Sequence, residues 1–194
     1  MGVWRIEEGI ADLETRYELK ESERATYMAF KNDKRRREWL CVRLMLEEMM
    51  GKEVEIAYKD SGKPYLKGSS KHISITHTIG YVGVRVADHP VALDMEYKSD
   101  RVLRIISKFV SESEMGYLDR GDKVATALVI WSAKETLYKL HDIQEIEFDK
   151  HLKVSNFDPT KESGTFTGTI DKGGFRAEVK LRYRITDDLI LVYC

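Results

Sequence analysis

The order of two hydrophobic patterns along the chain most constrains its fold. Segments with apolar residues at the 3.6-residue spacing of a helix are followed by segments that alternate like strands, and this order occurs twice. Helices followed by antiparallel strands are typical of an α+β fold. The sequence therefore predicts two similar α+β halves in a pseudo-two-fold arrangement, each a small, mainly antiparallel sheet with packed helices.

The first half is predicted to contain one long helix over about 33–50 and one or two shorter helices within 10–30. Apolar positions in the long helix recur at intervals near 3.6. Gly51 follows it where a helix commonly ends in a left-handed glycine. Short strands are predicted at 3–6, 54–58, 73–77 and 81–86.

A four-residue turn at 87–90 forms the predicted seam between the two halves. It ends the strand at 81–86 and leads into another strand at 91–96. We expect these two strands to form a hairpin. The halves are then residues 1–89 and 90–194, and the functional site is expected at the seam between them.

The second half is predicted to begin with helices and to end with strands. A helix is expected over about 101–109, and Ser111 with Glu114 has the capping-box spacing that begins another. A longer helix covers about 123–140. Strands are predicted near 150–155, 164–171, 175–184 and 188–193, with a hairpin turn at Gly173-Gly174.

Composition excludes several classes of protein. With 194 residues, of which 42% are hydrophobic, the chain can form one domain or two small ones with a packed core. Lys+Arg 32 against Asp+Glu 33 gives a net charge of -1, which argues against a dedicated nucleic-acid binder. Cys41 and Cys194 form neither a disulfide framework nor a zinc motif. No signal-peptide pattern and no stretch of ~18 apolar residues occurs, so we expect a soluble cytoplasmic protein.

Three carboxylates and a lysine on regular structure are the strongest functional signal. Asp94 and Glu96 close an apolar strand, and the two-residue strand repeat places them on one face. Glu135 and Lys139, four residues apart in the predicted long helix, also share a face. If the strand end meets the helix, the four residues form a metal pocket with a cation beside it. Oxygen ligands favour magnesium or calcium, and magnesium is commonly held by one or two carboxylates together with substrate phosphates and water.

Each of these pairs also has a simpler interpretation. Asp94 and Glu96 are compatible with a solvent-facing strand edge on which both carboxylates are hydrated. A glutamate–lysine pair at i and i+4 often only stabilises an exposed helix, by ~0.3 kcal/mol. Trp131 lies on the same stripe of the helix, so this stripe is not simply solvated. The neighbouring Lys134 faces about 100° away, where it could contact a different phosphate.

Other motifs are weaker when taken one at a time. The turn Gly62-Lys63-Pro64 would present one lysine rigidly, but it lacks the spacing of a phosphate-binding loop. His77 ends a strand, where a single histidine is more often structural than catalytic. Basic residues within 31–43 usually form a solvated face, although they could bind phosphates. A basic stripe that suits an acidic protein partner or a plain amphipathic helix consists of Arg101, Arg104 and Lys108.

Together these motifs resemble the 4′-phosphopantetheinyl transferase superfamily, in its larger single-chain subfamily of the surfactin-synthetase-activating type. Four elements match in order: Gly62-Lys63-Pro64, Ser74-Ile75-Thr76-His77, Asp94-Met95-Glu96, and Trp131-Ser132-Ala133-Lys134-Glu135 with Lys139. Phe109 and Glu112-Ser113-Glu114 resemble the F-x-x-x-E stretch of the family. The resemblance covers roughly residues 30–140, and its specific part is W-S-x-K-E with D-x-E about forty residues upstream.

The resemblance implies coenzyme A as donor, Mg²⁺ as cofactor, and a serine of an acyl or peptidyl carrier protein as acceptor. By position, Asp94, Glu96 and Glu135 would be the metal ligands. Glu135 is also the candidate general base, and Lys139 would lie near the donor diphosphate, so both are expected to be catalytic. The positions that would hold the adenosine 3′-phosphate end of the donor are Gly62, Lys63, Pro64, Thr76 and His77.

The match has two departures from the family pattern. The family usually has F-N-h-S-H where this chain has Ile73-Ser74-Ile75-Thr76-His77. Glu38 occupies the place of a basic residue near the start of the long helix, so Arg36, Arg37 or Arg43 could take that role. These departures concern the 3′-phosphate contacts and leave the predicted metal site unchanged.

The function implied by the resemblance is Mg²⁺-dependent transfer of phosphopantetheine to a carrier protein, carried out by a monomer. The alternative is a non-catalytic coenzyme A- or carrier-binding paralogue. The complete set of carboxylates argues against that alternative, since a binding module has no need of all three. Neither a nucleic acid nor a membrane is an expected partner.

Overall fold

A computed structural model describes residues 1–194 as α-helices, two 3₁₀ helices and strands. The α-helices are α1 (Ile10–Arg16), α2 (Glu21–Met28), α3 (Asp33–Met50), α4 (Lys123–His141) and α5 (Phe148–His151). The 3₁₀ helices are Asp100–Lys108 and Glu112–Tyr117. The strands are β1 (Gly2–Arg5), β2 (Ile56–Tyr58), β3 (Pro64–Leu66), β4 (His72–Thr78), β5 (Tyr81–Ala87), β6 (Leu93–Tyr97), β7 (Leu152–Val154), β8 (Ser163–Lys172), β9 (Phe175–Ile185) and β10 (Leu189–Tyr193).

Local signals fix the ends of the predicted helices. The side chain of Asn32 caps α3 by accepting a hydrogen bond from Arg35 N, and Gly51 ends it with φ 63°. The predicted capping box of Ser111 and Glu114 begins the second 3₁₀ helix. The helix predicted at about 101–109 is present as a 3₁₀ helix, whereas the prediction missed the short helix α5.

The strands form antiparallel sheets, which confirms the predicted α+β class. One sheet has the order β1-β5-β4, a second has the order β6-β10-β9-β8-β7, and β2 pairs with β3. The predicted hairpin turn at Gly173-Gly174 joins β8 to β9, and both glycines have positive φ.

The predicted hairpin between 81–86 and 91–96 is wrong. Both edges of β5 are already occupied, because β1 pairs with one and β4 with the other. Strand β6 therefore joins the other sheet, where it pairs with β10 near the far end of the chain. The pairing of β6 is set by a strand about a hundred residues away, which local turn chemistry does not reveal.

Side-chain hydroxyls connect the two larger sheets in place of a backbone ladder. Ser74, Thr76 and Thr78, alternate residues of β4, project toward β6. Each hydroxyl accepts a hydrogen bond from a β6 amide, and the amides belong to Leu93 (3.0 Å), Met95 (3.2 Å) and Tyr97 (3.0 Å). On β5, a Cβ at Gly83 would lie 3.2 Å from Leu93 Cδ2 of β6, so glycine allows this close approach of the two sheets.

Strand β6 consequently lies between two packed layers. On one face, α4 packs against the sheet with fully buried residues such as Ala133 and Leu137. On the other face, Leu93 and Met95 pack with Leu189 and Leu191 in a small cluster beneath β4 and β5. No helix of the structure is long and apolar enough to cross a membrane.

Candidate active site

Asp94 and Glu96 lie on the face of β6 that meets α4, as their spacing predicts. From α4, Lys139 and Trp131 reach them: Lys139 Nζ donates to Asp94 Oδ1 at 2.7 Å, and Trp131 Nε1 donates to Glu96 Oε1 at 2.9 Å. Glu135 projects between Trp131 and Lys139 on the same stripe of the helix. The strand end and the helix therefore meet, which excludes the interpretation of Asp94 and Glu96 as a hydrated sheet edge.

Asp94 is a buried carboxylate whose bonding is only half complete. Its residue is 4% exposed. Oδ1 accepts from Lys139 and, at 3.4 Å, from the hydroxyl of Thr76, but Oδ2 is buried without a hydrogen-bond partner. Buried polar atoms without partners are rare in folded proteins, and such an atom commonly marks strain, a catalytic role or the place of a water molecule or ion.

Glu96 and Glu135 are both held in surroundings that disfavour their charge. Burial and then the negative charge of Asp94 raise the pKa of Glu96, against the opposing effect of its hydrogen bonds from Trp131 and Thr78. Burial, followed by the charge of Asp94, raises the pKa of Glu135 to about 7, and Lys139 opposes this rise. Three carboxylates with one nearby lysine leave an excess of negative charge in this place.

The chemistry of this set of residues suits a hard divalent cation. Magnesium prefers carboxylate oxygens, and the unpartnered Oδ2 of Asp94 offers one directly. As the side chains stand, no three or more histidine, cysteine, aspartate or glutamate side chains lie close enough together to form a complete metal-ligand set. Asp94, Glu96 and Glu135 are therefore candidate ligands that do not form a closed cluster in this structure.

The turn Gly62-Lys63-Pro64 docks onto the C-terminal end of α4. Gly62 has φ 86°, which a glycine adopts without strain. Lys63 Nζ donates to the carbonyl of Leu140 at 2.7 Å, and Ser61 Oγ donates to Asp142 Oδ2 at 2.9 Å. This contact joins the predicted halves beside the carboxylates, and burial lowers the pKa of Lys63.

A cavity of about 200 Å³ lies between this turn and α4. Its walls include the whole Gly62-Lys63-Pro64 turn, Ser74, Tyr138 and Lys139. A wider groove of about 830 Å³ lies on the other side of Tyr138 and is lined by Trp131, Glu135, Lys108 and Phe148 among others. Tyr138 borders both spaces, so Lys139 faces one of them and Glu135 the other.

Thr76 and His77 do not line that cavity. The hydroxyl of Thr76 bonds Asp94 and the Met95 amide, so it supports the carboxylate from behind. His77 projects elsewhere, with Nδ1 3.8 Å from the buried carboxylate of Glu38, and burial lowers its pKa. In the sequence, the signal for this contact was the alternation of hydroxyl residues at Ser74, Thr76 and Thr78, which hydrogen-bond the neighbouring strand β6 through their side chains.

Lys134 is not available to a phosphate, so that expectation is wrong. It is completely buried, and its ammonium donates to Glu114 at 2.7 Å and to the carbonyls of Phe109 (2.6 Å) and Phe148 (3.0 Å). It ties both 3₁₀ helices and α5 to α4. The sequence pattern placed Lys134 on a separate face, but it could not show that this face is the protein interior.

The basic residues at the start of α3 divide into two groups. Arg43 is buried, stacks on Trp39 and pairs with Glu23 at 2.6 Å, which removes it from the candidates for phosphate binding. Arg35 remains exposed and pairs with Glu38 at 3.1 Å. Arg36 and Arg37 are half-buried near the start of the helix.

Comparison with known proteins bears on these residues directly. The sequence model of the 4′-phosphopantetheinyl transferase superfamily matches residues 90–194, which is more than half of the chain and includes Asp94, Glu96, Glu135 and Lys139. A search among curated proteins gave no match. By the extent of the family match, this chain belongs to the 4′-phosphopantetheinyl transferase superfamily.

Proposed function

We propose that this protein transfers 4′-phosphopantetheine from coenzyme A to a serine of an acyl or peptidyl carrier protein, with Mg²⁺ as cofactor and 3′,5′-ADP as the second product. The observation that carries the proposal is the meeting of Asp94, Glu96 and Glu135 with Lys139 where β6 faces α4. This meeting lies within the segment that matches the superfamily.

The two spaces beside Tyr138 support a reaction between two substrates. The cavity next to Lys139 and the Gly62-Lys63-Pro64 turn has lysines suited to the phosphates of the donor. The wider groove opens next to Glu135 and has room for the acceptor serine and the pantetheine arm. Thr76 would act on the donor site only indirectly, through its bond to Asp94, and His77 near Glu38 remains a proposed donor contact.

Charge is the main obstacle to this chemistry, because a diphosphate repels an incoming nucleophile. Asp94, Glu96 and Glu135 would hold the metal ion. Bound Mg²⁺ supplies positive charge that neutralises the diphosphate and orients it. Lys139 adds a further cation, and its ammonium can stabilise the charge that develops on the departing phosphate oxygen.

The transfer forms one bond and breaks one. The serine oxygen bonds to the β-phosphorus of coenzyme A, the bridging bond to the α-phosphate breaks, and the serine proton must leave. Glu135 is the proposed proton acceptor, because a pKa of about 7 places it close to working pH. Binding to a metal ion would weaken it as a base, so its two proposed roles compete.

The finer assignments belong to the same proposal. We place the chain in the larger single-chain subfamily of the surfactin-synthetase-activating type, acting as a cytoplasmic monomer. The halves 1–89 and 90–194 would be related by a pseudo-two-fold axis, with the site at their seam. In support, the contact of Lys63 with Leu140 crosses from one half to the other beside the proposed donor cavity.

The experiment that tests the proposal is incubation with coenzyme A, Mg²⁺ and a panel of apo carrier proteins, followed by intact-mass measurement of each carrier. We expect a gain of one phosphopantetheine unit, which EDTA abolishes. Asp94→Asn and Glu135→Gln should each abolish the gain while leaving the circular-dichroism spectrum unchanged. Glu18→Gln, which changes an exposed glutamate outside the matched motifs, is the control and should keep full activity.

The alternative, a non-catalytic paralogue, predicts a different result. It requires coenzyme A or a carrier to bind without any mass gain on any carrier of the panel. Near-normal turnover by Asp94→Asn would contradict the assignment of the site, even if the wild-type protein is an active transferase.

A further inference from the structure

We propose that the open face of the sheet formed by β7, β8 and β9 is a docking surface for an acidic protein. We call this surface the cationic sheet face and define it by Lys153, Lys180, Arg182 and Arg184. It lies on the side of the sheet opposite α4, so it is separate from the site of Asp94 and Glu96. The inference does not depend on the proposed function.

Strand alternation generates the cationic sheet face. In β9, Leu181 and Tyr183 are buried toward α4, and the residues between and beside them project from the other side. These are Lys180, Arg182 and Arg184, all exposed. The β6–β10 part of this same side is covered by β4 and β5, whereas the β7–β9 part has no layer over it.

The cations of this face have no acidic partners. None of the four lies within 4.0 Å of a carboxylate oxygen, whereas Arg176, at the hairpin end of β9, pairs with Asp171 and Glu178. The residues directly opposite them on β8 carry hydroxyls, and the pairs are Ser163 with Arg184, Thr165 with Arg182, Thr167 with Lys180 and Thr169 with Lys153.

A further arginine borders the face. Arg85 of β5 stacks over the ring of Tyr193, at 5.1 Å from its centroid, and Tyr193 is the cross-strand neighbour of Arg182. The Nε atom of Arg85 is buried without a hydrogen-bond partner. Positive charge therefore continues from the open part of the sheet to the edge of the covered part.

This arrangement costs stability within the chain, which is why it suggests a partner. Like charges at alternate positions of one strand repel, and glutamates on β8 would relieve the repulsion through cross-strand ion pairs. The chain has 33 acidic residues, yet none lies opposite Lys180, Arg182 or Arg184. Repulsion between neighbouring side chains that does not help the chain to fold is typical of a functional surface.

The charge pattern favours a protein over a nucleic acid. Asp171 and Glu178 lie at the hairpin end of the same face, where they would repel a continuous phosphate backbone but could pair with a basic residue of a protein. The centre of the face carries threonines and no exposed aromatic ring, so bases have nothing on which to stack. A mainly acidic protein surface with a basic end complements both parts.

The first test measures binding of fluorescein-labelled poly-L-glutamate by fluorescence anisotropy. We expect binding that weakens as ionic strength rises, and at least a tenfold loss of affinity in K180E/R182E. K52E/K123E is the matched control, because it makes the same change in net charge at two exposed lysines elsewhere, and it should bind like wild type. No binding by wild type, or equal loss in both variants, would overturn the proposal.

Two competing ligands complete this test. A mixed-sequence DNA duplex and vesicles of anionic lipid are titrated under the same conditions. We expect both to bind more weakly than poly-L-glutamate. Tighter binding of either one would overturn the assignment to an acidic protein partner.

The second test introduces carboxylates into β8 of the protein itself, opposite the unpaired cations. Thr165→Glu with Thr167→Glu places acidic groups opposite Arg182 and Lys180, so we expect a melting temperature a few degrees higher together with loss of poly-L-glutamate binding. The matched control is Thr165→Gln with Thr167→Gln, which has the same size without charge and should retain binding. Binding retained by the glutamate variant would sink the proposal whatever the melting temperature.

Discussion

Helix α4 carries two lysine–carboxylate pairs with the same 2.7 Å separation and very different surroundings. Lys134 and Glu114 are 0% and 1% exposed at their side chains, and every polar atom of the pair has a partner. Lys139, about 1.4 turns further along, pairs with Asp94 of β6; their side chains are 29% and 6% exposed, and Lys139 lines an open cavity. In this second pair, one oxygen of Asp94 is left unsatisfied.

The difference shows how one helix can be both scaffold and reaction site. A buried pair whose hydrogen bonds are complete holds elements in fixed positions, and nothing remains for a ligand to bind. An incompletely bonded pair at a cavity leaves a buried oxygen and a lysine that a substrate or cation can engage. The distance within the ion pair is the same in both cases and does not distinguish the two pairs. What distinguishes them is whether the other polar atoms of each pair have hydrogen-bond partners.

The scaffold pair should give the largest effect on stability. Lys134→Met removes the only cation near Glu114 and leaves two carbonyls without their donor. We expect the free energy of unfolding in urea to fall by about 3–5 kcal/mol, the usual cost of leaving one buried charge unpaired. Lys150→Met is the control, since it breaks an exposed pair with Glu147 and should cost less than about 1 kcal/mol. Equal effects in the two variants would remove the proposed contrast.

Glu135 should make the stability of the metal-free protein depend on pH. Its pKa in the folded chain, about 7, exceeds the usual value of 4.5, so the folded state binds the proton more tightly than the unfolded state. Stability is therefore greatest at low pH with respect to this group, and falls by up to about 3 kcal/mol as pH rises from 4.5 to 7.

The measurement is urea unfolding in EDTA at several pH values, for wild type and Glu135→Gln. The glutamine is uncharged throughout, so the difference between the two proteins should change over this pH window and level off above it. Added Mg²⁺ should reduce the loss in wild type, because a bound cation favours the ionised carboxylates. A difference that does not vary with pH would show that burial of Glu135 does not disfavour its charge.

Lys139→Met should separate activity from stability. We expect the rate of carrier modification to fall about 100-fold, which corresponds to about 2.7 kcal/mol. The free energy of unfolding should fall by less than in Lys134→Met, because the side chain of Lys139 is 29% exposed and lines a cavity of about 200 Å³, where water can take the place of its ammonium. Lys139→Arg, which keeps the charge, should recover part of the rate. If Lys139→Met lost as much stability as Lys134→Met, both lysine–carboxylate pairs would have a structural role.

Periodicity was enough to predict most of the elements and the residues that meet at the candidate site. The bounds of α3 and the shared faces of Asp94 with Glu96 and of Glu135 with Lys139 follow from repeats of 3.6 and 2 residues. Short-range rules such as capping also succeeded. Periodicity and capping rules describe local structure only. They cannot predict which strand or helix an element packs against when that partner lies far away in the sequence.

Three features could not be derived in this way. The pairing of β6 with β10 depends on which edges are free after β1, β4 and β5 have assembled. Burial of Lys134 depends on where the 3₁₀ helices and α5 pack. The role of Thr76 needed the relative position of two sheets, because its hydroxyl bonds across a contact between β4 and β6 that has no backbone ladder.

The smallest predicted effect concerns this contact between the sheets, which supports the reactive pair from behind. Thr76→Val preserves shape but removes the hydroxyl that accepts from Met95 N and donates to Asp94 Oδ1. The Met95 amide is then buried without a partner, so we expect a loss of about 1–2 kcal/mol in unfolding free energy. Ser74→Ala is the matched control, because its hydroxyl accepts from the buried Leu93 amide but contacts no carboxylate, so a similar loss of stability is expected.

Asp94 loses a hydrogen bond only in Thr76→Val, so that variant alone should also weaken Mg²⁺ binding measured by calorimetry. Unchanged Mg²⁺ binding in Thr76→Val would show that the hydroxyls of β4 merely join the sheets and do not orient the carboxylate.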